Sequence, residues 1–146
     1  MAEATARVLF VEDDDALAGI VVRHLRARGH DARSVGSAEE AQEAIAAGFV
    51  PTIVLLDINL PGASGWEWMR SSGLRAAGSP PVYVVTATSV PPARLREFGV
   101  AGFLPKPFAL TTLIEVVDRC AAAARKPAPD GIPVGGDTPD GGLDGI

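Results

Sequence analysis

The sequence predicts an α/β fold: a doubly wound, five-stranded parallel sheet with helices on both faces. Three observations carry that expectation. Short apolar, β-branched runs alternate with segments of helical period, five times along the chain. Glycine or proline punctuates most of the joins. Four of the apolar runs also lead into polar residues suited to chemistry. Glu12-Asp13 follows Val8-Leu9-Phe10-Val11, Asp57 follows Ile53-Val54-Leu55-Leu56, Thr86 follows Val82-Tyr83-Val84-Val85, and Lys106 follows Phe103-Leu104-Pro105. Doubly wound sheets bind their ligands outside the carboxyl ends of the strands, so these residues are expected to meet at one edge.

The elements follow in order. Residues 7–11 form a β-branched first strand. Asp14 or Asp15 caps a helix with Leu17, Ile20, Val21, Leu25 and Arg28 at three- and four-residue spacing, and Gly29 stops it. Residues 31–35 make a second, weaker strand. Ser37-Ala38-Glu39-Glu40 has the form of a capping box, ahead of a modest stripe of Ala41, Ala44 and Ile45 that ends at Gly48. Residues 52–56 are the strongest buried strand. Leu60-Pro61-Gly62-Ala63-Ser64-Gly65 is a loop, and residues 66–74 read as a helix. After the Gly78-Ser79-Pro80-Pro81 break comes a strand at 82–85. Pro91-Pro92 opens a short helix through Phe98, because proline suits a first helical turn. A fifth strand at 100–104 and a helix at 110–125 complete the series, with Leu110, Leu113, Ile114, Val117 and Ala121 on one helical face.

Composition bounds the function. The 146 residues suit one domain, and 47% hydrophobic with 21% charged residues is ordinary for a globular protein. Residues 1–126 are read as that domain. From Pro127 onward the chain turns to Gly, Pro and Asp, and 127–146 is read as a disordered tail or linker. Its Asp-Gly pairs lack the spacing of glycine-rich calcium repeats. The net charge is −5, and four of the acidic residues lie in this tail, which holds no Lys or Arg. No basic face for nucleic acid is expected. A single cysteine, Cys120, excludes an internal disulfide and is expected to be a small buried hydrophobe. No run is long enough to span a membrane, and no basic start precedes an apolar stretch, so a cytoplasmic location is expected.

The acidic residues divide into two kinds. Asp14 and Asp15 are read as helix caps. Glu12 and Asp13 lack that explanation, and Asp57 ends the neighbouring strand with no cap role to fill. Carboxylates gathered there repel one another unless a cation joins them, and an all-oxygen set suits a hard ion such as Mg²⁺.

With these motifs in order, the chain resembles the receiver domain of bacterial response regulators over residues 6–125. Val8 to Asp14 resembles that family's first strand and acidic pair. Leu55-Leu56-Asp57-Ile58-Asn59-Leu60-Pro61-Gly62 resembles its phosphoacceptor strand and loop, Val84-Val85-Thr86-Ala87 its hydroxyl-bearing strand, and Lys106-Pro107-Phe108 its lysine–proline turn. The resemblance implies a (βα)5, flavodoxin-like or CheY-like fold. It makes Asp57 the acceptor of a phosphoryl group from a sensor histidine kinase or histidine phosphotransfer protein. Asp13, Asp57 and the backbone carbonyl of Asn59 would hold Mg²⁺, with Glu12 acting through water. Lys106 would neutralise phosphoryl oxygens, and Thr86 would hydrogen-bond the phosphorylated acid. Phe103, expected in the core, would be the aromatic switch residue. Asn59 and Thr88 would modulate the phosphoryl lifetime. The Lys106–Pro107 bond would be cis, and a downstream protein would read the state from helix 4, strand 5 and helix 5.

The fourth helix is expected to be short, and no DNA-binding module follows Arg125, so direct transcription control is not expected. Trp66 and Trp68 are read as packing or exposed helix residues, and His24 and His30 as without chemical role. Two other functions compete. A haloacid dehalogenase-type phosphohydrolase would need a second acid where Asn59 stands. A receiver-shaped docking domain would keep the fold without turning over phosphate. A flavodoxin-like redox protein is disfavoured because Glu12-Asp13-Asp14 would repel a phosphate after the first strand.

Overall fold

A computed structural model of the chain describes residues 4–72 and 78–125. Ten elements alternate: β1 (Arg7–Val11), α1 (Asp15–Ala27), β2 (Asp31–Val35), α2 (Ala38–Ala46), β3 (Ile53–Leu56), α3 (Gly65–Ser72), β4 (Val82–Thr86), α4 (Pro92–Phe98), β5 (Gly102–Pro105) and α5 (Leu110–Arg125). The strands form one parallel sheet in the order β2-β1-β3-β4-β5. The chain winds outward from β1 to β2, then returns past β1 to build the other half. That reversal opens a crevice at the carboxyl ends of β1 and β3.

Strand alternation sends successive side chains to opposite faces and divides the core in two. Val8, Phe10, Ile53, Leu55, Val85 and Leu104 pack with α1 and α5. Leu9, Val11, Val54, Leu56 and Val82 pack with α2, α3 and Phe98 of α4. All four residues of β3 are fully buried, as its unbroken apolar run requires of a central parallel strand.

Local chemistry sets the helix ends. Asp14 caps α1, its carboxylate accepting the Leu17 N–H at 3.1 Å. Ser37 Oγ accepts the Glu40 N–H at 3.1 Å, while the Glu40 carboxylate reaches back one residue beyond the cap to the Gly36 N–H at 2.9 Å. A second, reciprocal box starts α3: Ser64 Oγ accepts the Glu67 N–H, and Glu67 Oε1 accepts the Ser64 N–H. The sequence reading missed this box, although Ser64-Gly65-Trp66-Glu67 spells it.

Several expectations need correction. The core stripe of α1 runs through Ala18, Val21, Val22 and Leu25, and Ile20 is 43% exposed. Arg28 is the C-cap of α1, and its guanidinium pairs with Asp118 on α5. The fifth strand starts at Gly102 rather than at residue 100, because the Val100 N–H bonds back to the Leu95 carbonyl of α4; the Ala101 N–H makes the first bond across to Val82 of β4. Gly102 leaves room for the Tyr83 ring, since a Cβ would stand 2.6 Å from it and force the ring to shift. Phe103 is half-buried and absent from both core clusters. It sits on an edge strand, on the face opposite buried Leu104, where α4 contributes only Phe98 to the core. Cys120 is half-buried, its Sγ 3.7 Å from the Thr52 carbonyl, and burial pushes its thiol pKa up.

Trp68 is buried and donates to Gln42 Oε1, while Trp66 packs on Phe98 with ring centroids 4.7 Å apart. His24 is exposed. His30 is buried: Nδ1 accepts the Ala6 N–H, and Nε2 lies 2.8 Å from Asp118 Oδ1. The ring thereby ties the start of β1 to α5, at the sheet edge opposite the crevice. The extension of α3 to residue 74 and the tail at 127–146 lie outside the described residues. Among the described residues, no helix is long and apolar enough to cross a membrane.

Candidate functional site

Sheet register explains why distant residues converge. Val11 pairs with Leu56, Leu56 with Val84, and Thr86 with Pro105. Glu12, Asp57 and Lys106 each stand one residue past the end of their strand, with Thr86 closing β4. Backbone bonds carry the ladder beyond the strands: Asp57 N–H donates to the Val11 carbonyl, Glu12 N–H to Val35, and Lys106 N–H to Thr86. The acidic and basic side chains are thus set on a rigid edge.

Asp57 is buried at the centre. Its Oδ1 accepts the Asn59 N–H at 2.9 Å, and its Oδ2 accepts from Lys106 Nζ at 2.9 Å. The same ammonium lies 2.6 Å from Glu12 Oε1, and Glu12 is 1% exposed. Glu12 Oε2 accepts the Asp14 N–H at 3.1 Å. Oε1 has the ion pair but no well-angled hydrogen bond, so a buried charged oxygen is left incompletely satisfied. Asp13 is exposed at the mouth. The Lys106–Pro107 peptide is cis.

Charge crowding shows in the titration of the site. Burial raises the Glu12 carboxyl above its ordinary range; the Lys106 and Asp14 contacts oppose this, and repulsion from Asp57 adds to it. Burial alone would lower the Lys106 pKa, but hydrogen bonds and attraction to Glu12 and Asp57 outweigh it and raise it.

One oxygen from each of Glu12, Asp13 and Asp57 lies within 4.8 Å of the others. Opposite ligands on one Mg²⁺ stand about 4 Å apart, and the ion keeps several waters. Three carboxylates at this spacing, an all-oxygen set with Asp13 exposed at the mouth, fit a hard divalent ion bound partly through water.

Thr86 is fully buried, and its Oγ1 accepts from Asn59 Nδ2 at 2.9 Å and from the Thr88 N–H at 3.3 Å. Asn59 Nδ2 also contacts Thr88 Oγ1. Of the residues expected from sequence, Glu12, Asp13, Asp57 and Lys106 form one cluster, and Asn59, Thr86 and Thr88 form a second group joined to it through Asn59. Phe103 makes no hydrogen bond to either. The Asn59 bridge had no signal in the sequence, because it joins the loop after β3 to the end of β4 and the loop that follows it. A cavity of about 360 Å³ beside Lys106, lined by Asp14, Leu17, Ala87, Lys106, Pro107 and Phe108, opens next to the cluster.

Fold and site together define a class: doubly wound proteins with three carboxylates and a lysine at the carboxyl edge of the sheet. Residues 8–118 match the response regulator receiver domain, and the chain belongs to that family, the receivers of two-component signal transduction. Over 127 residues it is 34% identical to the response regulator MprA of Mycolicibacterium vanbaalenii, covering 85% of this chain and 52% of that one. Over 109 residues it is 37% identical to the transcriptional activator protein PfeR of Pseudomonas aeruginosa, covering 73% of this chain and 35% of that one. The chain therefore spans about half or less of the length of these relatives. Among solved structures, the non-phosphorylated HemR receiver domain of Leptospira biflexa superposes with a TM-score of 0.68 at 26% identity, covering 82% of this chain and 95% of that one. A CheY-like receiver domain protein from Methanospirillum hungatei gives a TM-score of 0.71 at 20% identity, over 84% and 96% of the two chains, a likeness of fold alone.

Proposed function

We propose that this chain is a phosphorylation-controlled switch that accepts a phosphoryl group on Asp57 from a phosphohistidine. The donor is a sensor histidine kinase or a histidine phosphotransfer protein. One observation carries the reading: a buried Asp57 carboxylate held between a lysine ammonium at 2.9 Å and two further carboxylates. An Asp57 oxygen attacks phosphorus, an O–P bond forms as the P–N bond of the donor imidazole breaks, and the departing imidazole nitrogen takes a proton. Mg²⁺, bound by Asp13, Asp57 and the Asn59 carbonyl with Glu12 through water, would supply charge neutralisation at the phosphoryl oxygens. Lys106 exchanges a carboxylate oxygen for a phosphoryl oxygen and balances its charge from the other side. Water later cleaves the acyl phosphate, releasing inorganic phosphate and restoring the carboxylate.

Thr86 then donates its hydroxyl to the phosphorylated acid, and Phe103, half-buried and loosely covered, changes its packing. A protein partner reads the change on α4, β5 and α5. In this reading residues 1–126 form the receiver, 127–146 a tail, and the setting is cytoplasmic. Incubation with acetyl phosphate and Mg²⁺, followed by intact mass, tests the proposal. The expected result is a gain of one phosphoryl group that disappears with EDTA and in Asp57→Asn. An unmodified mass, with no spectral response to beryllofluoride, would instead favour a docking domain without phosphate turnover.

A further inference from the structure

Thr86 has a constraint of valence. A hydroxyl offers two lone pairs and one proton. In this structure both lone pairs of Thr86 Oγ1 are used, one by Asn59 Nδ2–H at 2.9 Å and one by the Thr88 N–H at 3.3 Å. Its proton has no acceptor among the described residues. The residue is fully buried, so water does not supply one freely. The amide holding it is itself anchored twice: Asn59 Nδ2 contacts Thr88 Oγ1, and the Asn59 N–H is bonded to Asp57 Oδ1 at 2.9 Å.

We infer that the Asn59 side chain is a positioning residue that holds the Thr86 hydroxyl in its unphosphorylated place, with Thr88 as its anchor, and so sets how readily the domain switches. The inference rests on the phosphoacceptor reading of Asp57 and extends it. Asn59 touches the acceptor carboxylate through its backbone and the switch hydroxyl through its side chain. It is therefore the shortest hydrogen-bonded path between the group that is modified and the group that must respond. Thr86 already has a free proton to donate, so donation alone would cost neither bond; it is the displacement of its oxygen toward a phosphoryl group that would break the bonds from Asn59 and Thr88. A ground state stabilised by those bonds resists switching by about their net value, so their removal favours the switched state.

The role differs from control of water access to the acyl phosphate, which would alter only the hydrolysis rate. The hold acts on an equilibrium. Loss of one net hydrogen bond corresponds to roughly fivefold in an equilibrium constant. The two residues share one amide, so their effects should not add.

The test is beryllofluoride binding in saturating Mg²⁺, followed by Trp66 and Trp68 fluorescence or by NMR, on the full chain, Asn59→Ala, Thr88→Val and the double variant. Expected are apparent affinities raised severalfold in each single variant, with the double variant no tighter than the stronger single one. Metal-free amide exchange at Thr88, whose N–H is bound to Thr86, should quicken in Asn59→Ala. Unchanged affinities in both variants beside a responsive parent, with only acyl-phosphate lifetime altered, would overturn the hold. A parent that fails to respond to beryllofluoride would overturn the phosphoacceptor reading instead, and the Thr88 exchange rates would show that the two failures are distinct.

Discussion

Replacing Lys106 with methionine keeps an apolar side chain of similar length and removes the ammonium that stands beside the carboxylates of Asp57 and Glu12. The ammonium stands 2.9 Å from Asp57 Oδ2 and 2.6 Å from Glu12 Oε1. At an effective dielectric of about 20, each contact carries roughly 6 kcal/mol of Coulomb attraction. Desolvation of the three groups cancels much of this, and removing one partner of a buried pair costs about 3–5 kcal/mol. The Lys106 side chain is 20% exposed, which places the expected loss near the lower end, about 3 kcal/mol. Urea denaturation at pH 7 in EDTA, followed by tryptophan fluorescence, reads this directly. Adding Mg²⁺ should then stabilise the variant more than the parent, because the ion takes over the neutralisation that lysine provided. Each tenfold gain in ion affinity adds about 1.4 kcal/mol at saturating metal. A variant as stable as the parent without metal, or one that Mg²⁺ stabilises less, would refute the electrostatic account of the site.

Burial raises the Glu12 pKa above its ordinary 4.5, so the folded chain binds this proton more tightly than the unfolded chain. Its contribution is complete below that value and is lost as pH rises through the elevated one; Glu12→Gln should therefore flatten metal-free stability above pH 4.5 and weaken Mg²⁺ binding, as titration calorimetry would show. Asp118 has the opposite sign. Burial opposes its charge, but Arg28 and His30 outweigh burial and lower its pKa below the ordinary 3.8. Asp118→Asn should cost about 1 kcal/mol at neutral pH, and the gap should close as pH falls through the depressed pKa of the parent, measured by urea midpoints across pH. Gly102→Ala should cost about 1–3 kcal/mol in thermal or urea unfolding, because the new methyl meets the Tyr83 ring at 2.6 Å.

The order of elements was legible because buried parallel strands write themselves as unbroken apolar runs. Ile53 to Leu56 is such a run, and all of it is buried. The α1 face was misread at Ile20 because several apolar residues compete for one stripe. The winner, centred on Ala18, Val21, Val22 and Leu25, is chosen by what α1 packs against. Phe103 is expected in the core as the residue at the switch position, yet the structure leaves it half-buried. Its half-exposure follows from strand position and from the small cover α4 provides, neither of which a residue type reports.

At the site, chain order alone brought Glu12, Asp13, Asp57, Thr86 and Lys106 to candidate status, since strand ends are visible in one dimension and a parallel sheet brings them to one edge. Their distances were not visible. Register between strands tens of residues apart decides that Lys106 reaches both Asp57 and Glu12, and that the Asn59 amide spans from the loop after β3 to β4. The buried His30–Asp118 link is of the same kind: two polar residues 88 positions apart, unremarkable in the sequence, that become partners only when α5 closes over β1. Periodic hydrophobicity is a local property and sets the fold class; pairing of polar groups depends on three-dimensional closure, and only the folded chain decides it.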